Sequence, residues 1–370
     1  MAEWQSTLES MVMTAFNNVY KDKRVLVTGH TGFKGSWLTL WLHKLGAHVI
    51  GLSLDPDTKP SHWDLLQLKD VVDYRVDIRD AESVQQVIQK HQPEIIFHLA
   101  AQPLVRRSYN HPVDTFSTNV MGLINLLQSV HDCSSIRVLI NATTDKVYAE
   151  KQCEQGYSES SPLGGYDPYS SSKACAELVT ECWQKSFFSS DSVVRLATVR
   201  AGNVIGGGDW AEDRLVPDLV RASIAGKALM VRHPNAVRPW QHVLEPLSGY
   251  LRLGQLLWQD ARFKGAWNFG PGRPGEASVQ QLSKSLAMHW ENIKIEHDSR
   301  LHPHEASILR LNADAAHKQL GWYPVWGIDE TLERTARWYK KFYENQSILS
   351  QQDLDAYIKA AKTLKMAWAE

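Results

Sequence analysis

Tyr169 and Lys173 stand four residues apart at the head of an apolar pattern of helical spacing, Ala174, Leu178, Val179 and Cys182. On a helix that spacing puts both side chains on one face, with an ammonium beside a phenol. The positive charge lowers the phenol's proton affinity, and Tyr169 becomes a candidate base. Any helix can carry such a pair by chance. Its weight comes from Thr144, which leaves an apolar strand at 137–140, and from three glycines near the start of the chain.

Those glycines are Gly29, Gly32 and Gly35, directly after the apolar run 25–28. The pattern predicts a buried strand, a tight turn and the first turn of a helix. Glycine lets the backbone take positive φ and approach a ligand closely, and free amides at a helix start bind a diphosphate. The stretch Gly29, His30, Thr31, Gly32, Phe33, Lys34, Gly35 is therefore a candidate dinucleotide site. An oxidised nicotinamide there would be a second cation acting on Tyr169. Asp55 follows the next strand, about twenty residues past the last glycine, where an acid binds the ribose 2′-hydroxyl of NAD and repels the extra phosphate of NADP. An Asp before Pro is also a common turn starter.

The elements that must position these groups alternate in type. Strands are predicted at 47–54, 72–76, 95–99 and 137–140, and helices at 36–45, 116–130 and from Tyr169 onward. This rhythm predicts an α/β, Rossmann-type doubly wound parallel sheet, with ligands at the carboxyl ends of its strands. Small residues leaving the 95–99 strand, Ala100 and Ala101, would then line the cofactor. After Arg200 the rhythm loosens and a smaller lobe is expected. The reading is 1–23 as an N-terminal extension, 24–200 as the cofactor domain with about 239–270 returning to it, and 201–370 mainly as a substrate lobe. The run Gly206 to Asp209 reads as a flexible loop, Leu320 to Pro324 as a helix stop, and a final amphipathic helix follows Asp329.

Composition bounds the function class. The chain has 370 residues, 43% apolar and 22% charged, with 40 basic and 41 acidic residues. No net charge draws it to nucleic acid or a membrane surface. The opening 23 residues do not read as a signal peptide and could be a loosely attached leader or a docking element. No later run approaches transmembrane length. The four cysteines, Cys133, Cys153, Cys175 and Cys182, lack metal or disulfide spacing and fit a reducing cytoplasm. His302 and His304 lack further ligands, so no metal is expected.

Together, Thr28-Gly29-x-x-Gly32-x-x-Gly35, His98-Leu-Ala-Ala101 and Tyr169-x-x-x-Lys173 resemble the extended short-chain dehydrogenase/reductase family. The segments 29–35, 101–108, 144–148 and 238–243 are similar to the branch of that family that dehydrates CDP-D-glucose. The resemblance implies an NAD-dependent lyase with a C-terminal nucleotide-sugar-binding lobe. It implies oxidation at C4, loss of water across C5 and C6, and hydride return to C6. It further implies a homodimer or homotetramer through helices near 114–130 and 170–186, and a supply role for 6-deoxy sugars such as those of lipopolysaccharide O-antigen.

By the same resemblance Tyr169 takes the 4-hydroxyl proton, Thr144 holds that oxygen and Lys173 holds the cofactor ribose. Cofactor contacts are implied for Asp77, Ile78, Leu99, Ala100, Ala101, Asn119 and Ala201. Substrate contacts are implied for Gln102, Ser108, Asn203, Arg214, Leu215, Val216, Arg238 and His242, and Arg238 can grip a diphosphate with two parallel hydrogen bonds. Glu305 and Arg310 are candidates for the border of the nucleotide.

Two departures carry expectations. Related dehydratases have Thr-Asp-Glu, the Asp protonating the departing 6-hydroxyl and the Glu taking the C5 proton; here Asp145 is followed by Lys146. Lys146 is either the base, which requires a neutral amine, or an electrostatic stabiliser of the enolate. His30 and Lys34 replace smaller residues of the glycine turn, and crowding of the diphosphate by His30 is expected to weaken NAD binding. The alternatives are another nucleotide-sugar dehydratase or 4-epimerase of the same fold, or a non-catalytic NAD-sensing regulator. Epimerases usually lack the Asp-Lys or Asp-Glu pair after the Thr, and regulators tend to lose the Tyr-Lys pair.

Overall fold

The computed structural model describes residues 14–150, 155–189, 192–290, 293–298 and 309–370. Cys153, His302, His304 and Glu305 lie outside them.

Seven parallel strands form the central sheet: β1 Arg24–Thr28, β2 His48–Ser53, β3 Val72–Arg75, β4 Ile95–His98, β5 Val138–Ala142, β6 Arg195–Ala201 and β7 Gly265–Phe269. Their order is β7-β6-β5-β4-β1-β2-β3. The inner strands β1, β4 and β5 are nearly continuous apolar runs because both faces of the sheet are covered, whereas the edge strand β3 is largely exposed. Val25, Val27, Phe97 and Ile140 point into one layer, with helices α1 (Phe33–Lys44), α6 (Leu244–Gln259) and α9 (Ser350–Thr363). Leu26, Ile96 and Leu139 point into the other, with α2 (Ala81–His91) and α3 (Gly122–His131). The expected α/β doubly wound sheet is present. Its direction of winding reverses between β1 and β4, the position where such sheets open a crevice.

Helix α1 is apolar on every side, and Trp37, Leu38, Leu40, Trp41 and Leu42 are all buried. A helix of that composition must be covered on its outer face as well. Helix α9 supplies the cover, together with residues 14–20. Phe16 stacks on Trp368 at 5.0 Å, and its amide donates to the Trp368 carbonyl at 2.7 Å. Tyr20 donates to the Leu251 carbonyl at 2.6 Å. The end of the expected extension is thus a clasp on the core rather than a loose leader.

A smaller lobe has its own core of Ile205, Trp210, Leu219, Trp240, Leu286, Leu332, Trp338 and Phe342. It is built from α5 (Leu215–Ile224), α7 (Val279–His289), α8 (Ile328–Asn345) and three two-stranded ribbons. The helix expected after Asp329 is α8, and α9 follows it as a second, separate helix.

Two local expectations change. The single helix expected at 116–130 is divided: Pro112–Phe116, then a π-type turn at Ser117–Met121, then α3. The wider turn brings Asn119 inward, where it is buried. The 206–209 loop, expected to be flexible, is packed against two tryptophans. Trp37 Nε1 donates to the Gly207 carbonyl at 3.0 Å, and a Cβ on Gly207 would lie 2.0 Å from the Trp338 ring.

Candidate active site

A cleft of about 570 Å³ runs from the β1–α1 turn, across the carboxyl ends of β4, β5 and β6, to the lobe. Its floor depends on two glycines. Gly29 has φ +74°, and a Cβ there would meet the Ala100 amide at 2.7 Å. A Cβ on Gly35 would stand 2.0 Å from the Gly29 carbonyl, whereas Gly32 has 3.4 Å to spare. The turn is therefore held against β4 closely enough that only backbone fits, and the first amides of α1 open into the cleft. Thr31 is fixed by its hydroxyl at 2.8 Å from Ser53 Oγ and by donation to the Leu54 carbonyl at 3.0 Å. Asp55, largely exposed, lies at the cleft rim 3.4 Å from Arg75 Nε. Asp77 and Ile78 line the same end, with Arg79 clamping Asp77 (2.6 Å) and Asp114 (2.6 Å). Those bonds, chiefly the Arg79 hydrogen bond, lower the Asp77 carboxyl.

At the end of β5, Thr144 caps a short turn, Asp145–Val147, and donates to Asp145 Oδ1 at 3.1 Å. Asp145 is 2% exposed and its Oδ2 has no hydrogen-bond partner among the described residues. Lys146 Nζ is 3.7 Å from Asp145 Oδ1. Helix α4, Pro168–Ser186, begins at an Asp167 cap with proline in its first turn, which aims Tyr169 and Lys173 at this strand end. Burial pushes the Tyr169 phenol up to about 12 against a hydrogen bond from Thr144. The lowering expected from Lys173 is therefore absent in the protein alone, because desolvation of the phenolate is the larger effect. Lys173 donates to the Ala142 carbonyl at 2.9 Å, and burial lowers it to about 8 although Glu177 opposes the shift. Glu177 is itself held by Thr143 (2.5 Å), Thr198 (2.6 Å) and Arg200 (2.8 Å), a buried cluster that fixes α4 to β5 and β6.

Leu99, Ala100, Ala101, Ala201, Asn203, Leu215, Val216 and Arg238 also line the cleft. Among the described residues, the buried Asn203 Oδ1 has no hydrogen-bond partner, like Asp145 Oδ2. Orphaned acceptors beside a backbone cradle fit a bound cofactor and sugar better than a solvent-filled groove. Arg214 lies at the same wall, 2.9 Å from Asp209 Oδ2.

Several expected contacts fall elsewhere. His30 does not reach the diphosphate cradle. Its ring lies over Gly51, where a Cβ would be 2.5 Å away, edge-on to Trp63 (4.5 Å) with Nε2 2.9 Å from Asp73. The lack of a side chain on β2 gives that ring its space, and burial keeps it neutral by lowering its proton affinity. Asn119 binds the Gln102 backbone (2.8 Å) and Ser172 (2.8 Å), and so shapes the β4 exit from behind. Gln102 does line the cleft, with its side-chain amide donating to Thr115 at 2.9 Å. Ser108 is fully buried and accepts from the Tyr169 amide at 3.1 Å. His242 is packed between Trp37 and Trp326. Arg310 pairs with Glu276 at 2.7 Å and is not part of the cleft wall.

Two groups at the cleft were not anticipated in these roles. Lys34 reaches across from α1 to donate to Tyr250 Oη at 3.3 Å, and burial followed by the charges of Arg214 and Lys173 lowers it to about 8. Asp213 and Arg232 line the lobe end. No spacing in the sequence marks them, since Lys34 meets Tyr250 and Asp213 meets Arg106 across more than a hundred residues of chain.

Fold and site define a dinucleotide-binding sugar-nucleotide enzyme of the short-chain dehydrogenase type. The chain belongs to the extended short-chain dehydrogenase/reductase family, and residues 26–335 match the family model described as GDP-mannose 4,6 dehydratase. It is 46% identical over 352 residues to the CDP-glucose 4,6-dehydratase of Salmonella typhimurium, covering 93% of this chain and 98% of that protein. The dTDP-glucose 4,6-dehydratase of Haemophilus influenzae is 25% identical, covering 85% and 97%. Among solved structures, UDP-glucose 4-epimerase from Thermus thermophilus in complex with NAD superimposes with TM-score 0.74 at 25% identity, covering 86% and 99%. DesIV, a dTDP-glucose 4,6-dehydratase from Streptomyces venezuelae with NAD bound, gives 0.72 at 25% identity, covering 86% and 97%. The family uses NAD.

Proposed function

We propose that this chain is a CDP-D-glucose 4,6-dehydratase that converts its substrate to CDP-4-keto-6-deoxy-D-glucose and water. The observation that carries the reading is the meeting of Thr144, Asp145 and Lys146 with Tyr169 and Lys173 above the glycine cradle. The 46% identity along nearly the full length of a CDP-glucose 4,6-dehydratase supports it. The acid and amine at 145 and 146 favour dehydration over 4-epimerisation, which has no leaving hydroxyl to protonate.

NAD, when bound, supplies a hydride acceptor for C4 and the hydride returned to C6. Residues 29–35, Asp55, Asp77, Ile78 and Lys173 would hold it. Tyr169 Oη takes the proton of the 4-hydroxyl, with Thr144 Oγ1 holding the same oxygen. The phenol sits at about 12 in the protein alone, and the positive charge of a bound nicotinamide would lower it so that the phenolate becomes available as the base. The 4-ketone acidifies C5. Asp145 and Lys146, 3.7 Å apart, are placed to serve the departing 6-hydroxyl as acid and the C5 proton as base. Arg214 and Arg238 meet the diphosphate.

The test is incubation of the pure protein with CDP-, dTDP-, UDP- and GDP-glucose without added NAD, followed by the alkaline absorbance of a 4-keto product. CDP-glucose should react fastest; no product from it, with or without NAD, would sink the reading. The base role of Lys146 is checked separately. If Lys146→Met exchanges the C5 proton with solvent at the normal rate, that role is lost.

The same reading includes a homodimer or larger assembly in the cytoplasm, feeding 6-deoxy-sugar synthesis. Met121 and Leu178, on the segments expected to pair, are exposed at 51% and 55%. Gel filtration giving a monomer at working concentration would count against it. Among the described residues no helix is long and apolar enough to cross a membrane.

A further inference from the structure

The lobe end of the cleft is walled by Leu229, Val231 and Val279, branched aliphatic side chains. Two charged groups stand among them that the chemistry at C4, C5 and C6 does not use. Asp213 Oδ1 is 3.5 Å from Arg232 Nη2 and 2.9 Å from Arg106 Nη1. Both ion pairs fall on Oδ1, and Oδ2 accepts no hydrogen bond among the described residues. Asp213 has φ +58°, an uncommon conformation for a residue with a side chain. Such backbone is kept where surrounding contacts over-determine it, and here Arg106 reaches from the β4 side of the cleft to hold the carboxylate.

A carboxylate only accepts hydrogen bonds and a guanidinium only donates them. Side by side, they present an acceptor followed by donors. We propose that Asp213 and Arg232 read the pairing edge of cytosine and so set the nucleobase preference of the cleft. The inference rests on the proposed use of a CDP-sugar and names how that base would be chosen.

Cytosine offers its N4 amine as a donor, then N3 and O2 as acceptors. Asp213 Oδ2 accepts from N4, and the Arg232 guanidinium donates to N3 and O2. Uracil and thymine carry a carbonyl at position 4 and an N–H at position 3, so the same pair would set a carboxylate against a carbonyl oxygen and a guanidinium against an N–H. Discrimination here comes from two mismatches as well as from lost bonds. The ring faces would lie against Leu229, Val231 and Val279. Neighbouring charges are already engaged: Asp218 is bonded to Arg221, and Arg214 to Asp209.

The experiment is calorimetric titration of the full-length protein with CDP, UDP and dTDP. A bidentate base contact gives about ten- to a hundredfold discrimination, so wild-type protein should bind CDP tighter than UDP or dTDP by that factor. Arg232→Gln should weaken CDP by about the same factor and leave UDP within about threefold. Asp213→Asn, whose amide can donate to the uracil carbonyl, should bring UDP close to CDP. CDP bearing two methyl groups on N4 has lost its donor and should bind wild-type protein about as poorly as UDP. Unchanged melting temperature and NAD affinity show that each variant is folded.

A wild-type preference for CDP that survives both substitutions overturns this inference alone, as does tight binding of the dimethylated nucleotide. No wild-type preference for CDP overturns the proposed substrate, and this inference with it.

Discussion

Three of the buried histidines, His62, His98 and His242, make the fold sensitive to acid, and the size of their effect follows from their surroundings. His62 Nδ1 and Nε2 each lie 2.7 Å from a serine hydroxyl, Ser36 and Ser350. His98 Nδ1 is 2.7 Å from Thr28 Oγ1. His242 Nδ1 accepts from the Leu244 amide at 3.3 Å, which requires an unprotonated nitrogen. Burial lowers all three from 6.5 to about 3, with small additions from Lys173 at His98 and Arg334 at His242. A group depressed in the folded state leaves more protons on the unfolded chain at intermediate pH. Stability is therefore full above 6.5 and falls as pH falls toward about 3. Between pH 7.5 and 5.0 each histidine loses about 2 kcal/mol, and the three together about 6. Glu245 acts in the other direction. Burial raises it from 4.5 to about 7 despite donation from Trp326 (2.7 Å), Val325 (2.9 Å) and Tyr357 (2.7 Å). Its contribution grows as pH falls from 7 to 4.5 and restores about 2 kcal/mol, leaving a net loss of about 4. Urea unfolding followed by tryptophan fluorescence at the two pH values reads this difference directly. His62→Gln, which keeps a donor and an acceptor, should lower the pH-dependent loss to about 2 kcal/mol, and Glu245→Gln should raise it to about 6. If His62→Gln loses as much as the parent between the two pH values, the histidine account is wrong.

Other outcomes follow from the site. Gly35→Ala should abolish NAD binding, measured by calorimetry, because its Cβ would lie 2.0 Å from the Gly29 carbonyl, while Gly32→Ala, with 3.4 Å, should keep binding within about tenfold. His30→Gly should not tighten NAD binding, since the ring is outside the cradle; it should instead destabilise the protein by about 2–4 kcal/mol through the cavity beside Trp63, read as a lower urea midpoint. Tyr169→Phe should lower turnover of CDP-glucose by about a hundredfold or more with little change in NAD affinity, and an active variant would remove the base role assigned to its hydroxyl.

Local chemistry made much of the site readable. The glycine spacing, the strand and helix periods, and Tyr169 with Lys173 depend on residues within a few positions of one another, so type and order suffice. The π-type turn at 117–121 was not readable, because Asn119 is drawn inward by Gln102 and Ser172, partners from separate elements. His30 was misplaced for the same kind of reason: its neighbour Gly51 lies on the adjacent strand, and only the β1–β2 register brings them together.

The sequence by itself determined the doubly wound sheet, the glycine cradle and the order of the catalytic segments, since each rests on backbone geometry that a short stretch dictates. Tertiary structure decided which way side chains turned from those segments and what charge environment they met. Burial holds Tyr169 near 12 and Lys34 and Lys173 near 8. The fold also brings Asp213 to Arg106 and Arg232 at the cleft. Desolvation and charge pairing are properties of the whole enclosing surface, and that surface exists only once distant parts of the chain have closed around it.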